Sequence, residues 1–175
     1  MTWESPMFLD DEAIQLMKEK ASQVFGVSPE SIQVSITERE VEVPDYFRGI
    51  SERKNAQIIT FTISAPHLTW RSISFDVVVA NASRLGRSWY HCMPDAYELV
   101  ERLKNPVGFA LKLSRIIIDG WLITMEFRTP LSRHEFAQAI NALASGFMTD
   151  DDGIAFGENL RWVAVRYRSY KSGPW

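Results

Sequence analysis

The side chains in this chain that could do chemistry are few and widely spaced. There are three histidines and one cysteine. His91-Cys92 is the one place where an imidazole and a thiol are neighbours. A nucleophilic thiol needs a base within hydrogen-bond reach, and adjacent residues on an extended segment point to opposite faces, so the pair reads as structural. His67, His91 and His134 lack the His-x-x-x-His spacing that sets two imidazoles on one helix face, and a lone cysteine cannot build a thiolate-rich zinc site. Asp150-Asp151-Asp152-Gly153 lacks the alternating ligands and distal Glu of a calcium loop and reads as a solvated turn. These absences predict no catalytic residues, no metal and no cofactor.

Binding is the better-supported chemistry. Trp89, Tyr90 and Met93 gather aromatic and thioether surface in a punctuated segment, and such residues anchor protein interfaces. They are the partner-binding candidates. A pocket is the alternative, with polar groups drawn from Asp76, His91, Arg115 and His134. Arg115 interrupts an apolar run, and Asp76 lies opposite the apolar face of its own strand. Glu38, Glu40 and Glu42 share one strand parity and form an acidic stripe that could meet a basic partner. Arg161, Trp162, Arg166, Arg168, Tyr170 and Lys171 mix cations with aromatic rings, as single-stranded nucleic-acid binders do. The net charge of −3 argues against that third reading, because phosphate binding needs an excess of cations.

The elements that must position these residues follow from pattern. The 175 residues predict one domain, with 1–8 and 171–175 as loose ends. Asp10 caps a helix whose buried face is Ile14, Met17, Ala21, Val24 and Phe25, with Leu9 stapled onto Ile14 and Gly26 as the stop. Ile32, Val34 and Ile36 alternate as a strand. The phase then changes to Val41 and Val43, which predicts a bulge or break near 37–40. Residues 44–55 are polar and punctuated, and predict a surface loop. Strands follow at Ile59–Ile63 and Ile73–Val79, then a helix opened by Asp95 and ended at Asn105-Pro106.

A hairpin over 109–127 is predicted with the three-residue loop Ile118-Asp119-Gly120. This register pairs Ile117 with Trp121, Leu113 with Met125 and Leu111 with Phe127, and leaves only Arg115 out of place. Ser132 and Glu135 then form a capping box, with Leu131 able to staple onto Phe136. Phe136, Ile140, Leu143 and Phe147 make one helix face. Residues 149–153 predict a loop, and Val163, Val165 and Tyr167 a last strand. The expected fold class is α+β, with a largely antiparallel sheet of about six strands and three helices in the order α-βββ-α-ββ-α-β.

Over residues 94–147 this pattern resembles the type III secretion chaperone-like fold, and within it the YbjN-like bacterial proteins. The features that carry the resemblance are the Leu99–Leu103 helix, the run into Ile117-Ile118-Asp119-Gly120-Trp121, and the Pro130-Leu131-Ser132 entry to a helix. The strand after residue 160 and the 44–55 loop depart from that pattern. The resemblance implies binding of a partner polypeptide, often as a homodimer, and brings no catalytic residue. The start, Met1-Thr2-Trp3-Glu4, has no signal-peptide pattern, and no apolar run is long enough to span a membrane. The sequence therefore predicts a cytoplasmic, non-catalytic, chaperone- or adaptor-like protein.

Overall fold

The computed structural model describes residues 11–64, 72–80, 112–119, 122–144 and 149–167. Helix α1 is Asp11–Phe25, with Asp11 and Glu12 in the first turn where free N–H groups favour anions. Ile14, Met17, Ala21 and Phe25 are buried, as their spacing predicts. Gly26 stops the helix at φ +66°, and the Val27 N–H donates to the Ser22 carbonyl at 3.0 Å, the long bond of a Schellman cap. The expected cap Asp10, the staple Leu9 and the Val24 side chain lie outside the described residues.

After a single 3-10 turn at Pro29–Ser31, strands β1 (Ile32–Asp45) and β2 (Ile50–Ser64) form one long hairpin. Its register runs without a shift from Ile32↔Ile63 to Asp45↔Ile50. The expected loop over 44–55 is therefore mostly strand, and the expected bulge near 37–40 does not exist. The change of phase has another cause. Ile32 and Val34 pack on the helix side of the sheet, whereas Val41 and Val43 pack on the far side. The strand keeps its pleat and changes which face it buries. Only the tip is irregular. There the Asp45 carboxylate accepts the N–H groups of Phe47 (3.0 Å) and Arg48 (3.2 Å), and Gly49 closes the turn at φ +67°.

Strand β3 (Ser72–Ala80) pairs antiparallel with β2. Strand β4 (Leu113–Asp119) then lies parallel to β3, from Asp76↔Arg115 to Val79↔Ile118. Strand β5 (Leu122–Phe127) returns antiparallel to β4, and helix α2 (Arg133–Ala144) follows. Strands β6 (Thr149–Phe156) and β7 (Trp162–Tyr167) complete a sheet of order β1-β2-β3-β4-β5-β7-β6.

This corrects the expected fold class. The protein is mostly β, with a seven-stranded mixed sheet and two α-helices among the described residues, not six strands with three helices. The helix expected over 95–105 lies outside the described residues. The seventh strand, β6, occupies the acidic stretch expected to be a loop. Ile154, Ala155 and Phe156 pair with Val165, Ala164 and Val163, and a register shift between Thr149 and Ile154 accommodates the Asp-Gly run.

The central hairpin is also in a different register. Asp119 pairs with Leu122, Ile118 with Ile123, and Ile116 with Met125, so Ile118 and Asp119 belong to the strand and not to a three-residue loop. A bulge between Leu113 and Arg115 switches parity. Leu113 thereby joins the even-numbered Ile116 and Ile118 on the helix side, opposite the odd-numbered Ile123, Met125 and Phe127. Arg115, the one misfit of the expected register, marks that bulge. Leu113 meets Phe127 rather than Met125. Leu111 and Trp121 lie outside the described residues.

The main core lies between the helices and one sheet face. Phe61 and Phe75 stack at 5.3 Å, Phe25 of α1 stacks on Phe75 at 6.1 Å, and Phe136 of α2 meets Phe156 edge-on at 5.3 Å. A smaller core of Val43, Ala56, Ile58, Val78, Ala80 and Ile117 lies on the far face.

Candidate binding groove

Each sheet face has its own cover, and the covers decide what remains available. On the far face the cover among the described residues is the tip of the β1–β2 hairpin. Although β1 and β2 sit at one end of the strand order, Tyr46 stacks on Trp162 of β7 with 3.8 Å between centroids and 11° between planes. The Arg166 guanidinium lies 4.7 Å above the Phe47 ring. The Tyr46 hydroxyl donates to Glu126 at 2.9 Å, and Lys54 donates to Asp119 at 2.8 Å. The hairpin therefore curls back across the sheet and is pinned at its tip.

This contact engages Arg115, one of the polar groups expected to form a pocket. Arg115 Nε donates to Glu126 at 2.6 Å, so Glu126 is shared between Arg115 and Tyr46. Burial, reinforced by the negative charge of Glu126 and the hydrogen bond to it, pushes the Tyr46 hydroxyl up to about 12. Asp76 is the neighbour of Arg115 across the parallel pair, and its carboxylate accepts the Thr60 hydroxyl at 2.7 Å. Asp76 and Arg115 are thus brought side by side, but Arg115 is held by Glu126. His134 is exposed on the first turn of α2 and does not join them. His91 lies outside the described residues, as do the interface candidates Trp89, Tyr90 and Met93.

The basic C-terminal stretch is likewise committed. Trp162 and Arg166 face the hairpin tip, and Arg161 reaches the Arg128 carbonyl at 3.5 Å. The ring that a stacked base would need already carries Tyr46. Arg168, Tyr170 and Lys171 lie outside the described residues. Among the described residues, no three His, Cys, Asp or Glu side chains are grouped to hold a metal ion. No helix among them is long and apolar enough to cross a membrane.

What stays open is on the helix side, at the β1 end. A groove of about 670 Å³ runs between α1 and β1. Asp11, Ile14, Gln15 and Lys18 form its helix wall, Glu30 stands at one end, and Ile32, Gln33, Val34 and Ile36 form its strand wall. Among the described residues β1 has no neighbour on its outer side. Val34 is half-buried and Ile36 is 45% exposed, so the groove has an apolar floor that ends in an accessible side chain. The acidic stripe continues from it along the same strand face. Arg53 approaches Glu40 at 3.5 Å and Glu42 at 3.6 Å, and Glu38 makes no ion pair among the described residues.

Sequence reasoning missed this site. The available signal was Ile36, the third apolar residue of an alternating run whose first two members, Ile32 and Val34, pack into or against the main core. Comparison with family models, with curated proteins and with solved structures gives no match.

Proposed function

We propose that the protein holds an extended polypeptide segment of a partner, added as an extra strand along β1 in the groove beside α1. One observation carries the reading: a 14-residue strand, outermost among the described residues, borders an open groove with an apolar floor. An edge strand offers a row of backbone donors and acceptors, and peptide recognition by strand addition uses them for affinity while side-chain pockets supply selectivity. The opposite edge is poorer for this purpose, because the register shift in β6 breaks its regular ladder. The reading is non-catalytic and needs no cofactor. It agrees in kind with what the chaperone-like resemblance of residues 94–147 implies.

The test is a peptide-display selection against the full chain, followed by hydrogen exchange of the protein with a selected peptide. The expected result is slowed exchange at amides of residues 32–37 and loss of binding in Ile36→Lys, a change at an exposed site that leaves the circular dichroism unchanged. Protection confined to β6 or to the far face, or binding indifferent to Ile36→Lys, overturns the reading. So does a dimer in light scattering that Ile36→Lys abolishes, because the occupant is then a second copy.

A further inference from the structure

The pattern along β1 specifies what kind of segment the edge accepts. Resting on the strand-addition reading, we propose that the partner segment is basic in its N-terminal half and apolar in its C-terminal half, on every second residue. Side chains on one strand face recur every two residues, so Ile32, Val34, Ile36, Glu38, Glu40 and Glu42 all lie on one side of β1. Along that side the chemistry changes once. The first three are apolar and border α1, and the last three are exposed carboxylates.

Cross-strand neighbours are the unit of sheet stabilisation, and opposite charges or paired apolar groups are the favourable combinations. An added strand therefore sets apolar residues beside Ile32, Val34 and Ile36 and cationic residues beside Glu38, Glu40 and Glu42. Antiparallel ladders are slightly more stable per residue than parallel ones. In that direction the partner reads Lys/Arg-x-Lys/Arg-x-Lys/Arg-x, then three aliphatic residues at the same spacing.

A second copy of this chain is a poor occupant. Antiparallel self-pairing over residues 32–42 sets Ile32 against Glu42, Val34 against Glu40 and Ile36 against Glu38, an apolar group facing a carboxylate at every position. Arg53 partly neutralises Glu40 and Glu42, with contacts of 3.5 and 3.6 Å between side chains that are each about 60% exposed. Such loose pairs exchange partners at little cost.

Fluorescence anisotropy with three labelled synthetic peptides tests this. The first alternates threonine with three lysines followed by three valines. The second reverses that order, and the third carries glutamate in place of lysine. The first should bind most tightly, with an affinity that falls as salt rises. Against the triple variant E38K/E40K/E42K it should bind about tenfold more weakly, and the glutamate peptide should recover. If all three bind equally and Ile36→Lys weakens all of them, the edge site stands and the polarity proposed here is overturned. If none binds, the strand-addition reading falls with it. Binding that appears only after residues 1–9 are removed also overturns the proposal, since the chain's own start is then the occupant.

Discussion

Tyr46 makes two contacts that respond differently to pH. Its ring stacks on Trp162 whatever its protonation state, whereas its hydroxyl must keep a proton to donate to Glu126. Folding raises this group from 10.0 to about 12, so its contribution is complete below about pH 10 and is lost as pH rises toward about 12. Tyr46→Phe should cost about 1 kcal/mol at neutral pH. Denaturation midpoints of the two proteins should converge across that alkaline window, and a gap that persists would refute the hydroxyl's role. Gly157 bears on the same contact from the other side. A Cβ there would stand 2.5 Å from Trp162 Nε1 and 2.9 Å from its Cδ1. Gly157→Ala should displace the indole from Tyr46, seen as a shift in tryptophan emission that is absent in a Glu158→Ala control. This glycine could not be singled out from sequence, because its constraint comes from a ring five positions along a hairpin.

Element boundaries were most legible where a local rule closes within one turn. The capping box of α2 is present as expected: Ser132 N–H donates to Glu135 at 2.9 Å, and Glu135 N–H donates to the Ser132 hydroxyl at 3.1 Å. Lys112 adds a 2.8 Å bond to the same carboxylate. Burial works against the Glu135 carboxylate, but the hydrogen bonds from Lys112 and Ser132 outweigh it and lower its pKa below the usual 4.5. Its stabilisation is therefore present above about 4.5 and lost as pH falls through the lower folded value. Ser132→Ala should cost about 1 kcal/mol at neutral pH, measured by urea denaturation, with a smaller difference in acid. Elements were illegible where distant packing decides. The distal half of the β1–β2 hairpin carries Glu38, Glu40, Glu42, Glu52, Arg53 and Lys54 on strands where β1 buries Val43 and only partly buries Val41. Such a ribbon has the composition of a loop. The β4 bulge hid the central register in the same way, because one inserted residue inverts every inside–outside assignment before it.

At the scale of the molecule, both faces of the sheet bury apolar residues. Ile117 is 1% exposed on the far face, under the curled hairpin. Ile117→Ala should cost about 2–5 kcal/mol, as for a residue of a principal core. Ile36→Ala, on the open groove, should change stability by no more than about 0.5 kcal/mol. Chemical denaturation of both variants checks the pair, and a small effect at Ile117 would mean that the hairpin cover is dispensable. The candidate groove was less legible than the fold. Its walls come from α1 and β1, each readable alone, but that β1 is an outermost strand follows only from the order of all seven.

The parallel join between β3 and β4 divides the chain into two antiparallel sets, each with its own helix: α1 with β1–β3, and α2 with β4–β7. Most strand neighbours within a set are close in sequence, so their loop closure is inexpensive; the join and the β5–β7 pairing, which α2 and β6 interrupt, are the long-range closures. The molecule is thus suited to fragment complementation. Two separately expressed pieces, divided between residues 81 and 111, should reassociate along the four residue pairs from Asp76↔Arg115 to Val79↔Ile118 and regain the native near-ultraviolet spectrum. Reassembly slower than folding of the intact chain, with a rate that rises with fragment concentration, would identify that join as the last contact to form.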